Sequence, residues 1–241
     1  MRIAIVSDVH EDVEGLRRVL KKVDRKGYDR LVCLGDVSGF SEPHYKYLKT
    51  RDASGCLSML RERNATIIAG NHDYFAAKRI PPCSDVFCLP WNWYEMSFEQ
   101  QEALVKGKLW LHETDLETGY SEEELLFLKE LPEVLFLEDE GLMFSHYAYP
   151  NHSGIEKGFY SRAKDFAAHF EVMEKHRVSL SFIGHSHVQG SFIVRAGRFR
   201  EYGFRRFRLR QGATIVGVPP LTKIGGFCIF EGERLQVKRI R

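Results

Sequence analysis

The 241 residues carry 44% apolar and 28% charged side chains and a net charge of +2. That charge is too small to argue by itself for a nucleic-acid or membrane partner, and no apolar run reaches the roughly 18 residues of a membrane span. The length suits one large domain or two small ones. The apolar stretch from Ile3 to Val6 is too short for a secretory signal and runs straight towards Asp8, so a cytoplasmic protein is expected. Five scattered cysteines (Cys33, Cys56, Cys83, Cys88, Cys228) imply no disulfide framework. Cys83 and Cys88 are spaced C-x4-C but lack the second pair that a structural zinc site uses.

In chain order, "RIAIV" (2–6) is a continuous apolar run, as in a strand buried on both faces. Leu16, Val19, Leu20 and Val23 recur with helical spacing. "RLVCL" (30–34) predicts a second buried strand. A helix over 54–63, with Leu57 and Leu60 inward, leads to a third at "TIIA" (66–69). This βαβαβ order predicts a parallel sheet flanked by helices. Residues 75–132 break the alternation and read as a helical insertion within a single domain over 1–241. Capping boxes at "SFEQ" and "SEEE" start two helices there, and Pro132 ends the second. The aromatic stretch "LPWNWYEM" (89–96), just before the first of them, reads as a packed loop or as a lid over a pocket. Beyond 133 the chain is strand-rich. "VLFLEDEGLMFSH" reads as two strands joined at Glu140-Gly141, a helix spans about 161–175, "LSFIG" (180–184) is another buried strand, and hairpins turn at Ala196-Gly197 and Glu231-Gly232.

Four buried runs end alike. They deliver Asp8 and His10, then Asp36, then Asn71, His72 and Asp73, and finally His185 and His187. Ligands of parallel sheets gather beyond the carboxyl ends of the strands, so these groups are expected to converge. Small residues (Ser7, Gly35, Gly70, Gly184) precede them, leaving room for a sharp turn. In D-x-H and H-x-H, residues i and i+2 of an extended segment face the same way. A mixed set of carboxylates, an amide oxygen and imidazoles without thiolate suits divalent manganese, iron, zinc, cobalt or nickel. There are too many ligands for one tetrahedral ion.

The sequence here resembles the calcineurin-like metallophosphoesterases. Their motifs appear in order as "DVH" (8–10), "GD" (35–36), "GNHD" (70–73), "SH" (145–146) and "GHSH" (184–187). The resemblance is weakest over 75–130 and after 188. It implies a four-layer α-β-β-α sandwich of mixed sheets and a binuclear centre, manganese being the leading expectation. One ion would be held by Asp8, His10 and His187, the other by Asn71, His146 and His185, with Asp36 bridging. A hydroxide between the ions would attack a phosphate mono- or diester. His72 would donate a proton to the leaving group, with Asp73 holding its ring. The alternatives are a nuclease, or a non-catalytic metal-binding scaffold on the same fold.

Departures from the family pattern are Glu11 and Asp12 after the first motif, Tyr147 after the fourth, and "VGVPPLTKIGG" near the end. Glu11 is expected to add negative charge at the site mouth and Asp12 to cap the first helix. His44, in the loop after Asp36, is a candidate substrate contact. His169 and His176 are expected on a solvated helix face, and His152 competes with His146. "RAGRFREYGFRRFRLR" (195–210) holds seven arginines against one glutamate. It reads as a basic edge hairpin, or as a platform in which Arg205, Arg206 and Arg208 meet a polyanionic substrate.

Overall fold

The computed structural model describes residues 1–240. Strand β1 (Arg2–Val6) turns Ala4 and Val6 towards a helical layer and Ile3 and Ile5 towards the interior between two sheets. That two-sided burial is why the run is apolar throughout. Helix α1 (Val13–Asp24) follows, its carboxylate cap Asp12 accepting from the Gly15 N–H at 2.8 Å as expected. Leu16, Val19, Leu20 and Val23 are fully buried against β1 and its neighbours. Each such side chain stabilises the layer by about 1.5–3 kcal/mol. Strand β2 (Arg30–Cys33), helix α2 (Ala53–Arg61) and the two-residue strand β3 (Thr66–Ile67) complete the parallel unit.

The polar triplet after β3 does not extend the strand. Asn71 opens a short helix, α3 (Asn71–Ala76), with Gly70 as its cap. The insertion then supplies α4 (Phe98–Val105) and α5 (Glu122–Lys129), each started by its predicted capping box. "LPWNWYEM" is largely a packed loop: Trp93 is buried in the helix-side core, while Trp91 is exposed. Cys83 and Cys88 are joined as a disulfide within this insertion, against the expectation of unlinked cysteines; the other three are free and buried.

The second half builds β4 (Val134–Leu137), β5 (Leu142–Ser145), α6 (Ala167–Lys175), β6 (Leu180–Ile183), β7 (Ser191–Arg195), β8 (Arg198–Tyr202), β9 (Arg206–Arg208), β10 (Thr214–Gly217), β11 (Gly226–Glu231) and β12 (Arg234–Arg239). The predicted 161–175 helix is α6 preceded by a 3-10 turn at Ala163–Phe166. Two mixed six-stranded sheets result, ordered β3-β2-β1-β11-β12-β9 and β4-β5-β6-β10-β7-β8. One apolar cluster fills the space between them, and one lies beneath each outer helical layer. The architecture is the expected α-β-β-α sandwich.

The Arg-rich segment is not one hairpin. Strands β7 and β8 pair in the second sheet, whereas β9 crosses to the edge of the first. Of two outer-layer histidines expected to be solvated, His176 stays partly exposed, stacking on Phe136 with ring centroids 3.9 Å apart and pairing with Glu138, and His169 departs. His169 is fully buried: its Nδ1 accepts from the Tyr149 N–H at 3.0 Å, so Nε2 donates to Ser181 Oγ at 2.8 Å. Burial, with the nearby His152 second, pushes its pKa down to about 3. The unfolded chain therefore takes up a proton near pH 6.5 that the folded state refuses. Stability from this group is intact above pH 6.5 and is lost as pH falls towards 3. Comparing wild type with His169→Gln, which keeps an acceptor and a donor but cannot titrate, denaturant melts should show the wild type losing on the order of 3 kcal/mol more between pH 7 and 4. Parallel pH profiles would remove this role.

Candidate metal centre

The turns after β1, β2 and β6 give the site its shape. Asp8, His10, Asp36, His185 and His187 all have φ between 48° and 63°. The expected mechanism, alternation along an extended strand, is therefore not how D-x-H and H-x-H converge: each pair sits in left-handed backbone. That costs roughly 1–2 kcal/mol per residue. Backbone hydrogen bonds between the turns offset it, among them Asp8 N–H to Gly35 O at 3.0 Å and His10 N–H to Asp36 O at 2.8 Å. The close approach of the β2 and β3 turns needs Gly70, where a Cβ would collide with Asp36 Oδ1.

Two donor clusters face each other. In the first, His187 Nε2 lies 3.2 Å from Asp8 Oδ1 and 3.1 Å from His10 Nε2. In the second, Asn71 Oδ1 lies 2.9 Å from both His146 Nε2 and His185 Nδ1, which are 3.2 Å apart. Asp36 Oδ2 sits between them, 3.8 Å from His10 Nε2 and 3.3 Å from His146 Nε2. The structure thus brings together all seven residues expected as ligands.

Tautomers are set by the backbone. His10 Nδ1 donates to Gly39 O at 2.8 Å and His146 Nδ1 to Leu34 O at 2.7 Å. Both Nε2 atoms therefore face the centre; the proton that Asp36 favours on His146 Nε2 would have to leave before that nitrogen could hold an ion. Buried acceptors (Asp8, Asp36, Asn71 and imidazole nitrogens) outnumber the donors around them, so cations fit this site chemically. The electrostatics agree. Burial opposes charge on Asp36 and Asp8, but His146 and His72 hold Asp36 well below the usual carboxylate range, and His187 and His146 hold Asp8 at about 2. Burial also opposes charge on His146, yet Asp36 raises it to about 9. Burial pushes His10 and His185 down to about 3, leaving both neutral.

Beside this centre, His72 is held differently from expectation. Asp73 does not bond its ring; the buried Asp73 carboxylate accepts from Ser38 N–H and Gly70 N–H, both at 3.0 Å, and organises the loop. The ring partner is Asp115, whose Oδ2 lies 2.5 Å from His72 Nδ1. His112 packs tilted against His72 with centroids 3.7 Å apart, and its Nε2 accepts from Asn71 Nδ2 at 3.0 Å. Gly39, at φ +94°, lies against this ring, where a Cβ would clash with His72 Nδ1. Burial works against a charged His72, but Asp36 and Asp115 outweigh it and raise its pKa. Sequence reasoning missed both Asp115 and His112. Their one trace is the H-x-x-D of "WLHETD" in the insertion.

The centre opens into a cavity of about 610 Å³ lined by His44, Tyr45, Trp110, Phe159 and Lys223 among others. His44 is thus placed at the site. Glu11 is not at the mouth: it is buried, accepts from Gly39 and Phe40 N–H, and pairs with Arg51 at 3.0 Å. His152 pairs with Glu133 at 2.9 Å, apart from the two donor clusters. Arg205, Arg206 and Arg208 do not line the cavity. Arg208 pairs in register with Arg234, Arg234 with Glu231, and Glu231 with Arg2. That places it level with the start of β1, six residues or roughly 20 Å from Asp8 at strand spacing. Arg205 packs over Tyr202 and Phe207, and Arg208 pairs with Glu233.

Known proteins resemble this chain over most of its length. The sequence model of the calcineurin-like phosphoesterases matches residues 1–189. The uncharacterized protein MJ0912 of Methanocaldococcus jannaschii is 24% identical, over 99% of this chain and 86% of its own length. A metallophosphoesterase structure from Sphaerobacter thermophilus aligns with a TM-score of 0.68 at 20% identity, covering 100% of this chain and 88% of that one. The hypothetical protein PH1004 of Pyrococcus horikoshii aligns at 0.62 and 13% identity, with the same coverage. These structural likenesses concern the fold; the sequence match, spanning 189 of 241 residues, assigns the chain to the calcineurin-like phosphoesterase family.

Proposed function

We propose that this protein hydrolyses a phosphate mono- or diester using two divalent metal ions, manganese being the expected pair. The observation that carries the reading is Asp36 Oδ2 placed between two donor clusters, one of Asp8, His10 and His187, the other of Asn71, His146 and His185. Two ions held there would lower the pKa of bound water to about 7 and neutralise charge on the phosphoryl oxygens. The chain's own part is positioning and proton supply. Backbone carbonyls fix His10 and His146 with Nε2 inward. Asp115 fixes His72 through Nδ1 and favours its protonated form. His72 Nε2 is then the atom that gives a proton to the departing oxygen.

The His72–Asp115 pair favours catalysis over the scaffold alternative, since binding metal requires neither residue. Arg208 lies apart from the cavity, so it supports the nuclease alternative only for a substrate long enough to span both places.

The test measures bound metal by mass spectrometry. Hydrolysis of an aryl monophosphate and a bis-aryl phosphate is then compared with added Mn, Ni, Zn and Mg. The expected result is two ions per chain and turnover best supported by Mn. Full metal occupancy with no turnover of either ester would move the protein to the scaffold reading.

A further inference from the structure

The cavity beyond the donor clusters has two unlike walls. On one, Phe159 is 56% exposed and lies with its ring 5.3 Å from His185 and 5.7 Å from Trp110. The ring therefore offers a solvent-accessible aromatic face beside a candidate ligand. Trp110 backs it from the insertion, and Lys157 Nζ sits 5.4 Å from the Trp110 ring. On the other wall Lys223 Nζ sits 4.8 Å from the ring of buried Tyr45. Neither lysine forms an ion pair with a carboxylate among the described residues. The cavity thus offers an open aromatic face and two ammonium groups that pair with no carboxylate among the described residues, around the place where a phosphoester would lie.

We infer that the site recognises nucleotides: the planar base stacks on Phe159, backed by Trp110, and Lys157 contacts further negative charge on the same molecule. Stacking on an aromatic face is selective for flat π-systems and tolerant of base identity. A sugar phosphate has nothing to place there. This inference rests on the phosphoesterase reading of the same cavity, and its test separates the two.

The test uses the manganese-loaded wild-type protein and phosphonate analogues, in which carbon replaces the ester oxygen and, in the diphosphate, the bridging oxygen as well, so that binding is read without turnover. Calorimetry compares the analogues of adenosine 5′-monophosphate, adenosine 5′-diphosphate and ribose 5-phosphate. The adenosine monophosphate analogue should bind about tenfold tighter than the ribose analogue. Phe159→Ala should abolish that difference and leave the ribose analogue's affinity unchanged. Because Phe159 is more than half exposed, the variant should fold normally. Lys157→Ala should remove any gain of the diphosphate over the monophosphate. Equal affinity of the adenosine and ribose analogues in wild type, or equal loss of both in Phe159→Ala, overturns the inference. If the base preference appears but no phosphoester is hydrolysed, recognition stands and the phosphoesterase reading falls. If aryl and sugar phosphates are hydrolysed with no base preference, the reverse holds.

Discussion

Asp36→Asn is expected to lose metal and turnover together, with kcat falling roughly 10²–10³-fold, the scale on which removing a preorganised electrostatic group acts. Asp36 serves two jobs with two oxygens. Oδ1 accepts the His72 backbone N–H at 2.9 Å and so ties the β2 turn to the start of α3. Oδ2 lies between the two donor clusters. Asparagine keeps one carbonyl oxygen and can preserve the first job, so the fold should survive. It supplies neither the charge nor a second anionic oxygen, so the second job fails. Metal content by mass spectrometry, beside a circular-dichroism spectrum, is the measurement. A folded variant that keeps both ions would deny Asp36 the bridging role.

Much of this site was legible because buried parallel strands leave clear marks in sequence: continuous apolar runs followed by abrupt polar residues. Asp8, His10, Asp36, Asn71, His185 and His187 follow such runs, and His146 follows the β5 run within a hairpin. What the sequence did not show was local geometry. D-x-H in an alternating strand and D-x-H in left-handed turns are the same letters, and only the second occurs here. The roles of the acidic residues were also misread. Glu11 and Asp73 look exposed by type, but each is buried beneath loop amides that a carboxylate satisfies.

The insertion was the least legible part. Its helix starts were visible through capping chemistry, which is local. Delivery of Asp115 and His112 to His72 depends on how a loop packs across about forty intervening residues, and no local pattern encodes that. The Arg-rich segment failed for a related reason. Charge and alternation identified strands, but the switch of β9 from one sheet to the other depends on long-range pairing with β12.

His72→Ala should keep both ions and lower kcat 10²–10⁴-fold, the usual worth of a positioned general acid. The loss should be largest for an alkyl phosphate, whose departing alkoxide needs the proton, and much smaller for a nitrophenyl phosphate, whose phenolate leaves unaided. Asp115→Asn sharpens the assignment through pH. With Asp36, Asp115 outweighs burial and raises the His72 pKa. A general acid works only while protonated, so alkyl phosphate turnover should fall as pH rises through that pKa. Removing the Asp115 charge lowers the His72 pKa, and the alkaline limb of the pH–kcat profile should move to lower pH. A residue that merely packed the loop would lower kcat without moving the limb. Loss of an ion in His72→Ala would instead make His72 a ligand, a geometry that its place near His10 and Asp36 permits. Metal content therefore decides between proton donor and ligand before any rate is interpreted.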